Sequence, residues 1–135
     1  DITAESEKLI RPLMFFSDNI NALQSDSVTI EKIEIKNNIL TISCSYLGGC
    51  EVHSLNLFSE IGFLESYPVQ LRMRLIHHAY SDSCQNVINE KLSFDIKSIA
   101  ALYKSAYRTN KGIILFSVYD SHLTHQYLPQ PRYEF

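Results

Sequence analysis

The sequence predicts a mainly β fold, an antiparallel β-sandwich with one short helix or helical turn; an open α+β sheet is the runner-up. Three observations carry this. Period-two alternation recurs in short runs, turn residues punctuate those runs closely, and helical periodicity is confined to brief stretches. With 135 residues the chain has the size of one domain and one core.

The elements follow in chain order. Leu9, Leu13, Phe16 and Ile20 recur at helical spacing, so residues 1–27 read as a lead-in holding at most a short helix. Val28 to Ile35 is dominated by β-branched residues, and its alternation slips at Glu31-Lys32, which predicts a bulge. Lys36-Asn37-Asn38 is a turn whose asparagines tolerate positive φ, and Ile39 to Tyr46 then sets Leu40, Ile42, Cys44 and Tyr46 on one face. Cys44 is therefore expected in the core as a small hydrophobe. Gly48-Gly49 permits a sharp bend before a third strand in which His53, Leu55 and Leu57 share a face.

Val69 to His77 is the longest strict alternation. Val69, Leu71, Met73, Leu75 and His77 point one way, and Gln70, Arg72, Arg74, Ile76 and His78 the other, which predicts a strand whose arginines lie on a solvated face. A strand is expected over Asn86 to Phe94, a helical segment over Ser98 to Tyr107, and a buried last strand over Ile113 to Tyr119. The domain is thus expected to span 28–119, with 120–135 as a tail.

Composition narrows the function. A net charge of −3, from 12 Lys and Arg against 15 Asp and Glu, gives no footprint for nucleic-acid binding. No run approaches the roughly 20 apolar residues of a membrane-spanning helix. Asp1 is not an initiator methionine, so the numbered chain is expected to begin after a removed segment.

The chemistry gathers in two stretches, Tyr46-Leu47-Gly48-Gly49-Cys50-Glu51-Val52-His53 and His77-His78-Ala79-Tyr80-Ser81-Asp82-Ser83-Cys84. Loop cysteines away from apolar neighbours are those that pair or bind metal. A disulfide between Cys50 and Cys84 would close a loop of about 35 residues, worth on the order of 3 to 4 kcal/mol. The alternative is a zinc site of Cys50, His53, His78 and Cys84, a Cys₂His₂ set without the tight pair at each end that a finger uses. His53, His77, His78 and Asp82 also make a polar cluster with the residue types of acid–base work, though His77 follows the buried face of its strand. Asp120, His122 and His125 read as a chance grouping on the tail. No phosphate loop, paired carboxylate motif or Ser/His/Asp order is present, and catalysis is not the expectation.

Gly48-Gly49-Cys50-Glu51-Val52-His53-Ser54-Leu55, with Pro68-Val69-Gln70-Leu71, His78 to Cys84 and Leu92-Ser93-Phe94-Asp95, resembles a family of small uncharacterised bacterial cell-envelope or lipoprotein domains with Gly-Gly-Cys-x-x-His and His-x₅-Cys segments. The similarity covers roughly residues 39–118. It implies export, a mostly β domain and a disulfide, and it implies no reaction. The expectation is a non-catalytic extracytoplasmic domain, periplasmic, secreted or lipid-anchored, that binds or scaffolds a protein or other cell-surface component. A zinc-binding domain, with or without hydrolytic activity, and a secreted inhibitor or effector are the alternatives.

Overall fold

The computed structural model describes residues 9–123 and 125–135. Strands dominate: β1 (Ile10–Pro12), β2 (Met14–Phe15), β3 (Thr29–Lys36), β4 (Ile39–Gly48), β5 (Ser54–Ser59), β6 (Val69–His78), β7 (Asn86–Asp95), β8 (Ile113–Tyr119) and β9 (Arg132–Glu134). One helix, α1 (Lys97–Tyr107), and one 3-10 turn (Ile20–Ala22) complete the described elements. The strands form two sheets, ordered β1-β7-β4-β3 and β2-β5-β6-β8-β9. Both sheets send apolar side chains into one shared core, among them Leu40, Ile42 and Phe94 from the first and Leu57, Leu71 and Phe116 from the second.

Local chemistry accounts for the hairpin that starts the first sheet. Asn37 and Asn38 both take left-handed conformations, φ 51° and 66°, which match a tight turn to the strand twist. The β3–β4 register then shifts between Ile30 and Lys32, at the predicted bulge. Cys44 is buried in the core, and burial pushes its thiol up to about 12.

The expected antiparallel pairing holds for β3–β4, β4–β7, β5–β6 and β8–β9. Three pairs run parallel: β1–β7, β2–β5 and β6–β8. Parallel neighbours need a long crossover. Between β6 and β8 the chain crosses to the other sheet as β7 and returns through α1, whose Ile99 and Ala100 are buried.

Both flanks depart from expectation. The predicted helix does not form over Leu9 to Ile20; the chain there makes edge strands β1 and β2 and then the 3-10 turn. Leu13 and Ile20 are buried at separate points of an extended path, a spacing that imitates one helical face. The remainder of the lead-in, residues 1–8, lies outside the described residues. The expected tail supplies β9, where Tyr133 is 1% exposed and its hydroxyl donates to Asn38 Oδ1 at 2.6 Å. A three-residue edge strand shows too little alternation to be seen in the sequence.

Arg74 is the second correction. Expected on a solvated face, it is 4% exposed. The face is solvated only where nothing covers it, and at Arg74 both flanks do. Its guanidinium donates to the carbonyls of Ile20, Leu23, Asp120 and Ser121. Arg72, half-buried, pairs with Glu60 at 3.0 Å and donates to Asn21 Oδ1.

Candidate functional site

The β5–β6 register places Ser54 opposite His78 and Leu55 opposite His77, so the residue before β5, His53, arrives beside the end of β6. The Gly48–His53 connection and the His78–Asn86 connection meet at this end of the molecule and are joined by a disulfide between Cys50 and Cys84, with Cα atoms 5.9 Å apart. Within the second connection, Ala79 to Asp82 forms a tight turn closed by the Asp82 N–H on the Ala79 carbonyl at 3.1 Å. Tyr80 and Ser81 sit there in left-handed conformations, φ 53° and 62°. Side chains other than glycine, asparagine and aspartate are uncommon in that region, so the turn depends on what clamps it.

The clamp is Asp82. Its Oδ2 accepts the N–H groups of Cys50 at 3.1 Å and Glu51 at 2.9 Å, and its Oδ1 accepts that of Cys84 at 3.0 Å. Both connections, and both halves of the disulfide, are thereby tied to one carboxylate. His53 Nε2 lies 2.8 Å from Oδ2, with the two side chains 2% and 0% exposed. The hydrogen bond from His53, then those from the three backbone N–H groups, hold the carboxyl well below the usual carboxylate range against the opposing effect of desolvation.

Behind His53 lies His77, which is 1% exposed. His53 Nδ1 and His77 Nε2 are 2.7 Å apart, and His77 Nδ1 donates to the Ser27 carbonyl at 2.8 Å. Tyr46 packs against both rings, with centroids 4.8 and 4.6 Å away, and its hydroxyl donates to Glu90. Burial is the main reason the His77 imidazole is less basic than an ordinary histidine, and His53, as a neighbouring positive charge, adds to this. An open groove of about 670 Å³ runs alongside, bounded by Ser27, Thr29, Tyr46, His77, Tyr80 and Val87 among others.

Of the predicted cluster, His53, His77 and Asp82 are thus in one hydrogen-bonded line. His78 is exposed and outside it, its ring centroid 6.2 Å from that of Tyr80. The zinc set of Cys50, His53, His78 and Cys84 is not assembled: both sulfurs are spent in the disulfide and the two histidines lie in different surroundings. Among the described residues the ligand atoms that do converge belong to Cys50, Asp82 and Cys84. With the disulfide closed, that set offers no thiolate to a metal. His122 and His125 touch ring to ring, centroids 5.1 Å apart, and Asp120 accepts the His122 N–H at 2.8 Å. Ser27 and Glu90 belong to the site and were not singled out from the sequence, and Tyr46, at the start of the first stretch, reads there only as a strand-face residue. Tyr46 shares a strand face with Cys44, which reads as core, and Ser27 contributes only a backbone carbonyl.

In chemical terms the line is closed. Every ring nitrogen of His53 and His77 is engaged within the protein. Among the described residues no buried side-chain nitrogen or oxygen lacks a partner.

No protein-family model and no curated protein matches the chain. Solved structures do. The fold is similar to that of a NigD-like immunity protein from Bacteroides caccae, with TM-score 0.63 and 18% identity over 82% of this chain and 52% of that one. It is also similar to a protein described as toxin-related from Parabacteroides distasonis, with TM-score 0.53 and 14% identity over 94% and 61% of the two chains. A third match is a protein described as a lipoprotein candidate from Bacteroides fragilis, with TM-score 0.50 and 8% identity over 93% and 69%. Likeness at such identities is one of fold, and the chain spans only 52% and 61% of the first two. At that level it agrees with the resemblance to uncharacterised bacterial domains. No helix among the described residues is long and apolar enough to cross a membrane.

Proposed function

We propose that the chain is a non-catalytic, extracytoplasmic binding or scaffolding domain of a bacterial cell-envelope protein, and that the groove beside Tyr46 and His77 receives a protein partner. One observation carries the reading. The cluster of His53, His77 and Asp82, which has catalytic residue types, has its nitrogens and carboxylate oxygens bonded to one another and to the backbone, so none of these three presents a free base to the groove. The same bonds hold the groove wall rigid, and exposed Leu47, Tyr80 and Val87 stand around it. A pre-organised aromatic and apolar rim is what a protein contact needs, because little entropy remains to be lost on docking. The disulfide supports an oxidising compartment, as does the fold shared with a lipoprotein candidate.

The secreted inhibitor or effector is the second reading. The neighbours described as NigD-like immunity and toxin-related proteins favour it.

Site-specific photo-crosslinking in the native cell, followed by fractionation, tests both. A crosslinker at Val87 or Tyr80 is expected to give a discrete adduct in the envelope or secreted fraction, and one at exposed Ser105 on α1 none. A chain that fractionates with the cytosol, or that crosslinks equally from Ser105, contradicts the proposal.

A further inference from the structure

We propose that His53 and His77 together hold one proton more than two neutral imidazoles, and that this proton latches the disulfide-bearing connections onto the end of β6. The hydrogens on the two rings require this whatever the function of the groove.

The Ser27 carbonyl can only accept, so His77 Nδ1 carries a hydrogen. The 2.7 Å contact between His77 Nε2 and His53 Nδ1 needs one hydrogen between them. Asp82 Oδ2 already accepts two backbone N–H groups, so the hydrogen in its 2.8 Å contact with His53 belongs to Nε2. Three ring hydrogens are required, and two neutral rings supply two. The pair is therefore a single cation facing a carboxylate. Asp82 adjoins His53, and His77 is the ring whose cation burial disfavours, so the charge rests chiefly on His53.

Other ionisable groups face the pair. Tyr46 from β4 covers both rings with its hydroxyl on Glu90 of β7. Asp26 stands beside His77 and accepts the Ala79 N–H at 2.7 Å, and His78 follows on β6. Glu51 gives its backbone N–H to Asp82. Only Asp82 among these side chains bonds to a ring nitrogen of the pair.

The consequence is a pH-sensitive latch. When the extra proton leaves for solvent, a nitrogen lone pair faces the carboxylate, and Asp82 lets go of the Cys50, Glu51 and Cys84 amides. Free histidines titrate near about 6.5. Below that pH the unfolded chain binds two protons here and the folded chain one; above it the unfolded chain binds none and the folded chain still one. Linkage then makes this pair's contribution to stability greatest near that pH, falling on both sides.

Nitrogen-15 NMR of histidine-labelled protein at about pH 6.5 tests the count directly. Three protonated ring nitrogens and one bare nitrogen across His53 and His77 are expected; two bare nitrogens overturn the proposal. Hydrogen exchange tests the latch. Protection of the Cys50, Glu51 and Cys84 amides, corrected for intrinsic exchange, is expected to fall as pH rises from that point. In Asp82→Asn, where the amide can donate to a neutral His53, that dependence is expected to vanish. An identical dependence in both proteins, or none in the wild type, overturns the latch. Should Asp82→Asn not fold, the NMR count on the wild type decides alone.

Discussion

Gly48 stands where the His53 ring leaves no room for a side chain: a Cβ there would lie 2.7 Å from His53 Nε2 and 3.2 Å from Asp82 Oδ2. Neither of those atoms can yield, because each is bonded to the other and one of them also to the backbone of the facing connection. Gly48→Ala is therefore expected to cost about 1 to 3 kcal/mol, as overpacking does. Gly62 has nothing within 4 Å of the same position, so Gly62→Ala should stay within about 0.5 kcal/mol of wild type. Urea midpoints compare the two, and equal midpoints would contradict the geometry.

Removing the disulfide tests a different restraint. The bond spans a sequence separation of 34, and Cys50→Ser with Cys84→Ser is expected to lose about 3 to 4 kcal/mol by the chain-entropy estimate. Thiol titration of the wild type should find no reactive cysteine while it is folded and oxidised, since Cys44 is buried and its thiol is pushed up to about 12. In denaturant without reductant one thiol should react, and with reductant three.

Arg74→Met keeps the volume and removes five donors. The carbonyls of Leu23, Asp120 and Ser121 would lose the guanidinium donor, and that of Ile20 would keep only the Leu23 N–H. A loss on the order of 3 kcal/mol is expected, together with faster proteolysis of the segment around Ile20. Arg72→Met, which removes a partly exposed ion pair with Glu60 and a bond to Asn21 Oδ1, should cost about 1 kcal/mol. Equal losses would mean that Arg74 contributes no more than a surface arginine.

Acid should destabilise the fold in two stages. His77 is held below its ordinary value of 6.5 by burial, so the unfolded chain takes up its proton first and stability drops as pH falls below that point. Asp82 is depressed from 3.8 by its bond to His53 and the three backbone N–H groups. Its contribution is present above the unfolded value and is lost as pH falls through and below it. Urea midpoints from pH about 8 to about 3 should show both limbs, with the lower one flattened in Asp82→Asn.

How much of this was legible in the sequence depended on whether the cause was local. The Asn37-Asn38 hairpin, the bulge near Glu31 and the long strand β6 follow from neighbouring residues, and the structure contains all three, although the alternation of burial along β6 stops at Met73. Cys50 and Cys84 could be singled out because polar loop contexts are local as well. Arg74 could not be read correctly: alternation assigns a side chain to a face and is silent on what covers that face, here residues more than 45 positions away. The same blindness hid β1, β2 and β9, too short to show a period, and the parallel pairings, which are made by distant segments. Within the site, His53 and Asp82 could be grouped from the sequence, whereas the contact of His53 with His77 depends on the β5–β6 register.

The four carbonyls gathered on Arg74 come from both sides of the central strands, two from residues 20–23 and two from residues 120–121. A fragment trimmed to 28–119 would leave that guanidinium bare at the middle of the second sheet, although every long strand would still be present. Anyone excising this unit for fusion, crystallisation or display should keep both extremities, because one cation makes them a single clasp.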